Sequence, residues 1–495
     1  MSKWRDRGLP LAASIDFANG RITTLSFAGA SNPMLPLSMS GEGQLRTHMR
    51  GPRYRWGCFI IIGLLLAGPA PALSSESESL STSVDSYLRA YVESHNFSGT
   101  VLIAHGDSIL INKGFGMAVY ENSVPNTGDT RFMIASLSKT FTTAAVLLLQ
   151  ERDQLLPDDT VDRFIPDFPS GNEITIDQLL THMSGLPRIV FFPDYGEKSK
   201  MSHSTEDLVE WISDKPLAFV PGERYGYSNA NYVVLAHIIE RVSGLSYGEF
   251  LEVHVLAPLG LQATGHQADP EATINKLAKG HVPESLTDIG PARYYDYSIV
   301  TGAGSLYSTT EDLLTWFRAQ QQDQTSMEYS WNPDRRLDKD VVYKTGWDGV
   351  GFGAQFVHYL ADDLTIIVLT NFNVSSITSE IADNLAAIFF DGAYEPLRLN
   401  AKPNVEASVL NDMTGLYRFG SDFYVPDATI QITESNGQLL IPGDSHSPTG
   451  GLLPVSGLEF IHRQQWFKVI FEQDADKKIV GMQYGRFEAK KDLNP

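Results

Sequence analysis

The sequence predicts an α+β fold: one antiparallel sheet flanked by helices, assembled from strands at both ends of a long helical middle, with a small all-β domain behind it. Three observations carry this. Apolar runs of strand length occur at 99–111 and return at 341–369; the residues between them are mostly of helical spacing with good caps; and from about Met413 short β-rich runs alternate with tight turns. Strands at both ends of a helical stretch place the helices as a subdomain inserted into the sheet.

Taken in order, Val84, Tyr87, Leu88, Tyr91 and Val92 recur at helical spacing, and folded structure is expected to start near Val84. Residues 99–104 and 109–111, joined by His105-Gly106-Asp107, read as a β-hairpin. Thr175 with Gln178 and Ser308 with Glu311 fit the capping box, in which the two side chains satisfy backbone groups at a helix start. Residues 341–343, 354–360 and 364–369 read as strands, the last two joined by a turn at Asp362-Asp363, and a helix follows from about 377 to 390. In the last segment, 429–433 and 438–441 flank Ser435-Asn436-Gly437, and 466–472 pairs with 479–484 across a charged turn. The expected division is a main domain over 84–395, linkers at 73–83 and 396–410, and a β domain over 411–495, with no fixed-period repeat.

The chain has 495 residues, 42% hydrophobic and 20% charged, enough to bury at least one large core. Acidic residues outnumber basic ones 59 to 38, and a net charge of −21 repels phosphate backbones and anionic bilayers, so nucleic acid is excluded as a partner. Arg50, Arg53 and Arg55 precede the apolar run Cys58 to Ala67, which ends in Ala70-Pro71-Ala72. That is a secretory signal over 49–72, shorter than the roughly 20 apolar residues of a membrane span, and cleavage is expected after Ala72. An uncleaved N-terminal anchor is the alternative. Met49 stands just ahead, so 1–48 reads as a non-native or disordered extension. The single cysteine, Cys58, lies inside the signal, which leaves the exported chain without disulfides or thiolate chemistry. No His-Glu-x-x-His, paired-cysteine or calcium-loop pattern occurs, so neither metal nor cofactor is expected.

Three short motifs carry chemistry. In Ser136-Leu137-Ser138-Lys139, residues three apart share a helix face, so the hydroxyl and amine can touch at an N-terminus whose free N–H groups favour developing negative charge. A hydroxyl needs a neighbour to take its proton, and a lysine kept neutral by burial and a second cation can do so. In Tyr227-Ser228-Asn229 a phenol on a turn can exchange a proton, and an amide can hold both a lysine and a substrate carbonyl. In Lys344-Thr345-Gly346 the glycine admits a substrate to a strand edge, the lysine offers charge to a carboxylate and the threonine a directed bond. Singly, each is equally a capped surface helix, an ordinary turn or a lysine-protected edge strand. A competing pattern, Gly244-Leu245-Ser246-Tyr247-Gly248, fits a nucleophile elbow, but a helix precedes it where a strand is needed. Gly244 reads instead as a helix C-cap and Ser246 as the next N-cap, and His182 as support for the scaffold.

In this order the motifs resemble the serine β-lactamase, D,D-peptidase and class VIII esterase superfamily, which includes the penicillin-binding proteins. Leu179-Leu180-Thr181-His182-Met183-Ser184-Gly185-Leu186-Pro187, Pro221-Gly222-Glu223-Arg224, Pro258-Leu259-Gly260-Leu261 and Gly302-Ala303-Gly304-Ser305-Leu306 are similar to its landmarks. The resemblance spans about 84–392, and the segment containing Gly415-Leu416-Tyr417 is similar to a lipocalin-like, barrel-like β domain carried by some members. It implies that Ser136 is acylated, that Lys139 and Tyr227 shuttle its proton, that Asn229 positions the substrate, and that Lys344 and Thr345 hold a carboxylate. Gly346 would line the site, and the N–H groups of Ser136 and Trp347 would form the oxyanion hole. Many relatives carry histidine where Lys344 stands, and 318–341 is short for the family, opening the rim. The implied activity is hydrolysis of an amide, lactam or ester bond in a small-molecule or peptide substrate, first of all D-amino-acid or cell-wall-type peptides, then short esters, then β-lactams. A non-catalytic peptidoglycan- or peptide-binding protein of the same fold is the alternative.

Overall fold

The computed structural model describes residues 72–492, apart from 268–272, 287, 395, 398, 400–405, 424–426 and 442–449, with the backbone alone over 72–77; ahead of these it describes two short strands, Ile15–Asp16 and Arg21–Ile22. The expected signal run lies outside the described residues. Among those residues, no helix is long and apolar enough to cross a membrane.

The central sheet has six antiparallel strands: β1 (Gly99–His105), β2 (Ser108–Phe115), β3 (Asn332–Arg336), β4 (Lys339–Trp347), β5 (Gly353–Tyr359) and β6 (Leu364–Thr370), in the order β3-β4-β5-β6-β1-β2. N- and C-terminal strands meet where β6 pairs with β1, Ile366 opposite Ile103 and Ile367 opposite Leu102. Every residue of β5 and β6 is buried, because both sheet faces are covered. Alternation sorts the side chains: Leu102, Phe356 and Ile367 face the helical region, whereas Val101, Ile103, Val357, Ile366 and Val368 face the helices α1 (Ala72–Glu93) and α4 (Ile377–Phe389). At about 1.5–3 kcal/mol for each large aliphatic side chain removed from water, these two strands are the anchor of the domain.

The helical region contains α2 (Ser138–Glu151) and α3 (Asn229–Ser243), which pack together and bury Phe141, Ala145, Tyr232, Val233 and Ala236 in one core. The Thr175 capping box is present, with Gln178 as its partner. The second expected cap is displaced: Thr309, not Ser308, caps the helix Thr310–Gln320, accepting from Asp312 N, while Ser308 ends a strand and bonds Thr264. Gly244, at φ 74°, ends α3, and Ser246 caps the helix Tyr247–Leu251 with Glu249 as partner, so no strand feeds that serine.

The serine-rich stretch 73–83, expected as a linker, is instead the first half of α1. Leu80 extends the stripe of Val84, Tyr87, Leu88 and Tyr91 by one turn and packs against the same core, so tertiary burial overrides a composition weak in helix formers. Beyond α4, Leu397 and Leu399, within the second expected linker, also pack on that core, and a short helix, Ala407–Asp412, leads onward.

The last domain is a closed barrel of eight antiparallel strands: β7 (Gly415–Phe419), β8 (Thr429–Ser435), β9 (Gln438–Ile441), β10 (Gly450–Ser456), β11 (Glu459–His462), β12 (Phe467–Gln473), β13 (Ile479–Tyr484) and β14 (Phe487–Lys491). Closure is made by β7 against β14, Tyr417 opposite Lys491, which removes the free edges of an open sheet. Its interior is filled by side chains, among them Tyr417, Phe419, Phe460, Val469, Phe471 and Met482.

Candidate active site

The 3₁₀ turn Ala135–Leu137 runs directly into α2, so Ser136 sits at the N-terminal mouth of a fourteen-residue helix and Lys139 in its first turn, three residues on. Ala135 holds φ 46°, a left-handed conformation uncommon for alanine, which turns the chain sharply ahead of the serine. Tyr227 precedes α3; Ser228 caps that helix by accepting from Ala230 N, and Asn229 is its first residue. Two helix starts therefore converge on one point.

Lys139 is 1% exposed and its Nζ contacts three oxygens: Ser136 Oγ at 3.0 Å, Asn229 Oδ1 at 2.9 Å and the Ala303 carbonyl at 2.7 Å. Tyr227 Oη lies 2.7 Å from the other side of Ser136 Oγ. No carboxylate among the described residues pairs with Lys139, and burial holds its pKa well below that of a free lysine. The Asn229 amide oxygen and the Ala303 carbonyl oxygen can only accept from it, so they take two N–H bonds. The third tetrahedral direction of the nitrogen points at the serine, and in the neutral amine that direction is a lone pair. Burial raises the pKa of Tyr227, which keeps the phenol protonated and able to donate. The trio can thus accept a proton from the hydroxyl on one side and deliver one on the other.

The Ala303 carbonyl is placed by Gly302, whose φ is 77° and where a Cβ would lie 2.4 Å from the Tyr232 carbonyl oxygen, so no other residue fits that turn. The Gly302 carbonyl in turn accepts from Thr142 Oγ1 at 2.7 Å. His182 lies beneath Tyr227, ring centroids 4.5 Å apart, and its Nδ1 accepts from Asn231 Nδ2 at 2.9 Å and faces Ser228 N at 3.3 Å. Burial, reinforced by Lys139 and Lys344, lowers its pKa to about 3, so it stays neutral and braces the tyrosine.

Strand β4 brings the third motif to the same place. Its partner β3 stops pairing at Tyr343, leaving Lys344 to Trp347 without a neighbour on that side, and this free half-edge meets the serine. At Gly346 a Cβ would lie 2.4 Å from the Ile134 carbonyl oxygen and 3.1 Å from Ser136 N, so the backbone of β4 lies directly against the nucleophile turn. Lys344 is half-buried, and burial with the nearby Lys139 lowers its pKa to about 8. Thr345 is exposed, and Trp347, 36% exposed, donates its indole N–H to Asn373 Oδ1 at 2.7 Å. Residues 318–341 contribute the helix Gln324–Ser330 and strand β3.

All eight residues singled out in the sequence, Ser136, Lys139, Tyr227, Asn229, Lys344, Thr345, Gly346 and Trp347, belong to these converging segments. Sequence reading missed the carbonyl of Ala303 as a ligand of the lysine, although Gly302-Ala303-Gly304 marked the spot. It also missed Asn373, which no local pattern announces. Among the described residues no group of metal-ligating side chains lies together.

Fold and site define a serine-hydrolase type of the β-lactamase and penicillin-binding-protein class. The chain belongs to the Beta-lactamase family, whose model matches residues 84–388. It is 29% identical over 388 residues to penicillin-binding protein 4* of Bacillus subtilis (strain 168), covering 70% of this chain and 84% of that one. With the teichoic acid D-alanine hydrolase of Staphylococcus aureus it shares 30% identity over 225 residues, 45% of this chain and 54% of the relative. Among solved structures, the octameric penicillin-binding protein homologue from Pyrococcus abyssi has 22% identity and a TM-score of 0.55, covering 84% of this chain and all of the other. The D-amino acid amidase from Ochrobactrum anthropi SV3 has 20% identity and a TM-score of 0.55, covering 63% and 96%. At these identities the last two speak for the fold.

Proposed function

We propose that the protein is an exported serine hydrolase that opens amide or ester bonds through an acyl-enzyme on Ser136, acting first on D-amino-acyl or cell-wall-type peptides. The observation that carries this is Ser136 Oγ held between Lys139 Nζ at 3.0 Å and Tyr227 Oη at 2.7 Å. Neutral Lys139 takes the hydroxyl proton as Oγ attacks the carbonyl carbon, and the N–H groups of Ser136 and Trp347 receive the charge on the carbonyl oxygen. Tyr227 gives its proton to the departing amine or alkoxide and recovers one from Lys139, which returns the pair to its starting state. A water activated at the same pair then attacks the ester on Ser136, releasing the acid and restoring the hydroxyl. Asn229 holds Lys139 in place and offers its amide N–H₂ to the substrate. The names of the relatives, a penicillin-binding protein and a D-alanine hydrolase, support this substrate order, with short esters second and β-lactams third.

Incubation with a p-nitrophenyl ester or a fluorescent penicillin, followed by peptide mass spectrometry, is expected to find the adduct on the peptide carrying Ser136. An adduct on Ser246, or none with any acyl donor, would overturn the reading and favour the peptide-binding alternative.

Lys344 supplies a pH signature. Its pKa of about 8 lies below the ordinary lysine value, so the ammonium is present below pH 8 and lost above it. Binding of a substrate carboxylate is therefore expected to be constant at neutral pH and to weaken as pH rises through 8, up to about tenfold per unit. KM for a D-alanyl peptide with a free carboxylate should climb in that range while KM for a neutral ester stays flat. Equal climbs for both would remove Lys344 from carboxylate recognition.

A further inference from the structure

We infer that the C-terminal barrel is a positioning domain for the acyl-transfer site, acting through Arg463 and Gln464 on Asn373 and so on Trp347. This rests on the hydrolase reading above. The loop between β11 and β12, residues 463–466, leaves the barrel and enters the main domain. Arg463 is 0% exposed there, and among the described residues its hydrogen-bond partners are all neutral oxygens. Its Nε donates to Asn96 Oδ1 at 3.0 Å, Nη2 to the His95 carbonyl at 2.8 Å, and Nη1 to the Asp288 carbonyl at 3.0 Å and to the Ser285 carbonyl. Burial lowers its pKa to about 10, which still leaves it charged at neutral pH. A buried cation with four such acceptors is a costly device for simple adhesion, since an apolar contact of the same size would hold two domains together as well. What the fork adds is direction: it fixes one geometry of the loop against several backbone segments.

The segment fixed most closely is the turn after β6. The guanidinium lies over the Phe372 ring, 5.9 Å from its centroid, and the Gln464 carbonyl accepts from Ser375 N at 2.7 Å. Between these two clamps sits Asn373, fully buried. Its Oδ1 accepts from the Trp347 indole at 2.7 Å, its Nδ2 donates to the Gly349 carbonyl at 3.0 Å, and its N–H donates to the His281 carbonyl at 2.8 Å. Arg463 also holds, through Ser285 and Asp288, the far end of the hairpin in which His281–Pro283 pairs with Ile289–Pro291. Trp347 follows Gly346, the residue that lies against Ser136 N. The barrel is thus two residues from a side chain that bonds the strand of the nucleophile site. Its own interior is occupied by aromatic and aliphatic side chains, with Phe419 stacked on Phe423 at 3.8 Å, which suits a rigid support.

The experiment uses the full chain labelled with 5-fluorotryptophan, the Trp347 resonance being assigned with Trp347→Phe. Three variants are compared by ¹⁹F spectrum, thermal melting and turnover of p-nitrophenyl butyrate: Arg463→Met, Arg463→Lys and Met482→Ala. The last removes a buried side chain inside the barrel and lowers stability without touching the loop. Arg463→Met is expected to shift the Trp347 resonance and to lower kcat about tenfold, a fraction of the roughly 10²–10³ lost when an oxyanion donor is removed outright, with KM within about a factor of two. Arg463→Lys keeps the charge without the fork and should fall between it and the parent, and it decides the matter by the same readouts if the Met variant does not fold. Met482→Ala should melt earlier yet leave the resonance and kcat in place. An unmoved Trp347 signal with unchanged kcat in the Arg463 variants, or a Met482→Ala variant that reproduces them, would overturn the positioning role. If the parent shows no turnover and no adduct on Ser136, the hydrolase reading fails separately, and the Trp347 resonance still tests the link from the barrel.

Discussion

Ser136→Ala, Lys139→Met and the double variant are expected to lose acyl-transfer activity to nearly the same floor, roughly 10³–10⁶-fold below the parent, since groups that act as one unit are not additive. The reason is visible in the contacts. Ser136 Oγ has the Lys139 amine at 3.0 Å and the Tyr227 phenol at 2.7 Å, and without the amine the raised pKa of the phenol leaves it a poor base. Loss of fold would not explain the Lys139 result. Methionine removes a buried amine that has no counter-carboxylate, relieving desolvation, but leaves Asn229 Oδ1 and the Ala303 carbonyl without a donor at about 1–3 kcal/mol each. These effects oppose one another, so the melting temperature should move little. Steady-state rates on a p-nitrophenyl ester with melting curves for all three variants make the check. Losses that multiply in the double variant would mean that Lys139 acts apart from the serine.

Much of this site was legible because the chemistry sits in contiguous triplets. Ser136 and Lys139 share a helix face by spacing alone, and Tyr227 and Asn229 flank a capping serine, which is itself a sequence signal. Their convergence was not legible from spacing, since the helix starts lie 91 residues apart in the chain; the resemblance supplied it. Less visible still were the backbone and distant amide partners. Ala303 contributes a carbonyl, which any residue could, and Asn373 looks like any asparagine after a strand until β4 and the hairpin are packed around it. The half-free edge of β4 depends on where β3 stops pairing, a tertiary outcome that no pattern in Lys344-Thr345-Gly346 encodes.

The fold divides in the same way. Period-two runs and the capping box at Thr175 gave the sheet and helix starts their places, whereas residues 73–83 looked like a linker because their composition is serine and glutamate. Leu80 alone signals the extra turns, and a single apolar residue is too little without the core it meets. At 308–309 serine and threonine are both favoured caps, and the cap falls to Thr309 because Ser308 is held in the strand that pairs with Phe132. The barrel's strands were readable singly, and its turn at Asn436-Gly437, both at positive φ, was marked in the sequence. Arg463 was not: an arginine after a strand reads as surface, and its burial exists only between two domains.

Gly346→Ala should be the most damaging conservative change outside the proton-transfer trio. A methyl group there would lie 2.4 Å from the Ile134 carbonyl oxygen and 3.2 Å from the Ala135 Cβ, and both belong to the turn that carries Ser136. The contact can be relieved by β4 retreating or by the nucleophile turn giving way, and Ala135 at φ 46° leaves the turn little freedom. β4 is paired with β5 along the whole of that strand, from Val341 opposite Tyr359 to Trp347 opposite Gly353, so a retreat drags a buried strand with it. Overpacking of this kind costs about 1–3 kcal/mol of stability. The larger effect falls on catalysis: moving the Trp347 N–H away from the Ser136 N–H would withdraw one of the two proposed oxyanion donors, worth roughly 10²–10³ in kcat. Acylation by a p-nitrophenyl ester should therefore slow by that factor while Lys139 and Tyr227 keep their places. A Gly346→Ala protein that acylates at the parental rate would mean that β4 does not supply the second donor, and the oxyanion site would have to be sought elsewhere around Ser136.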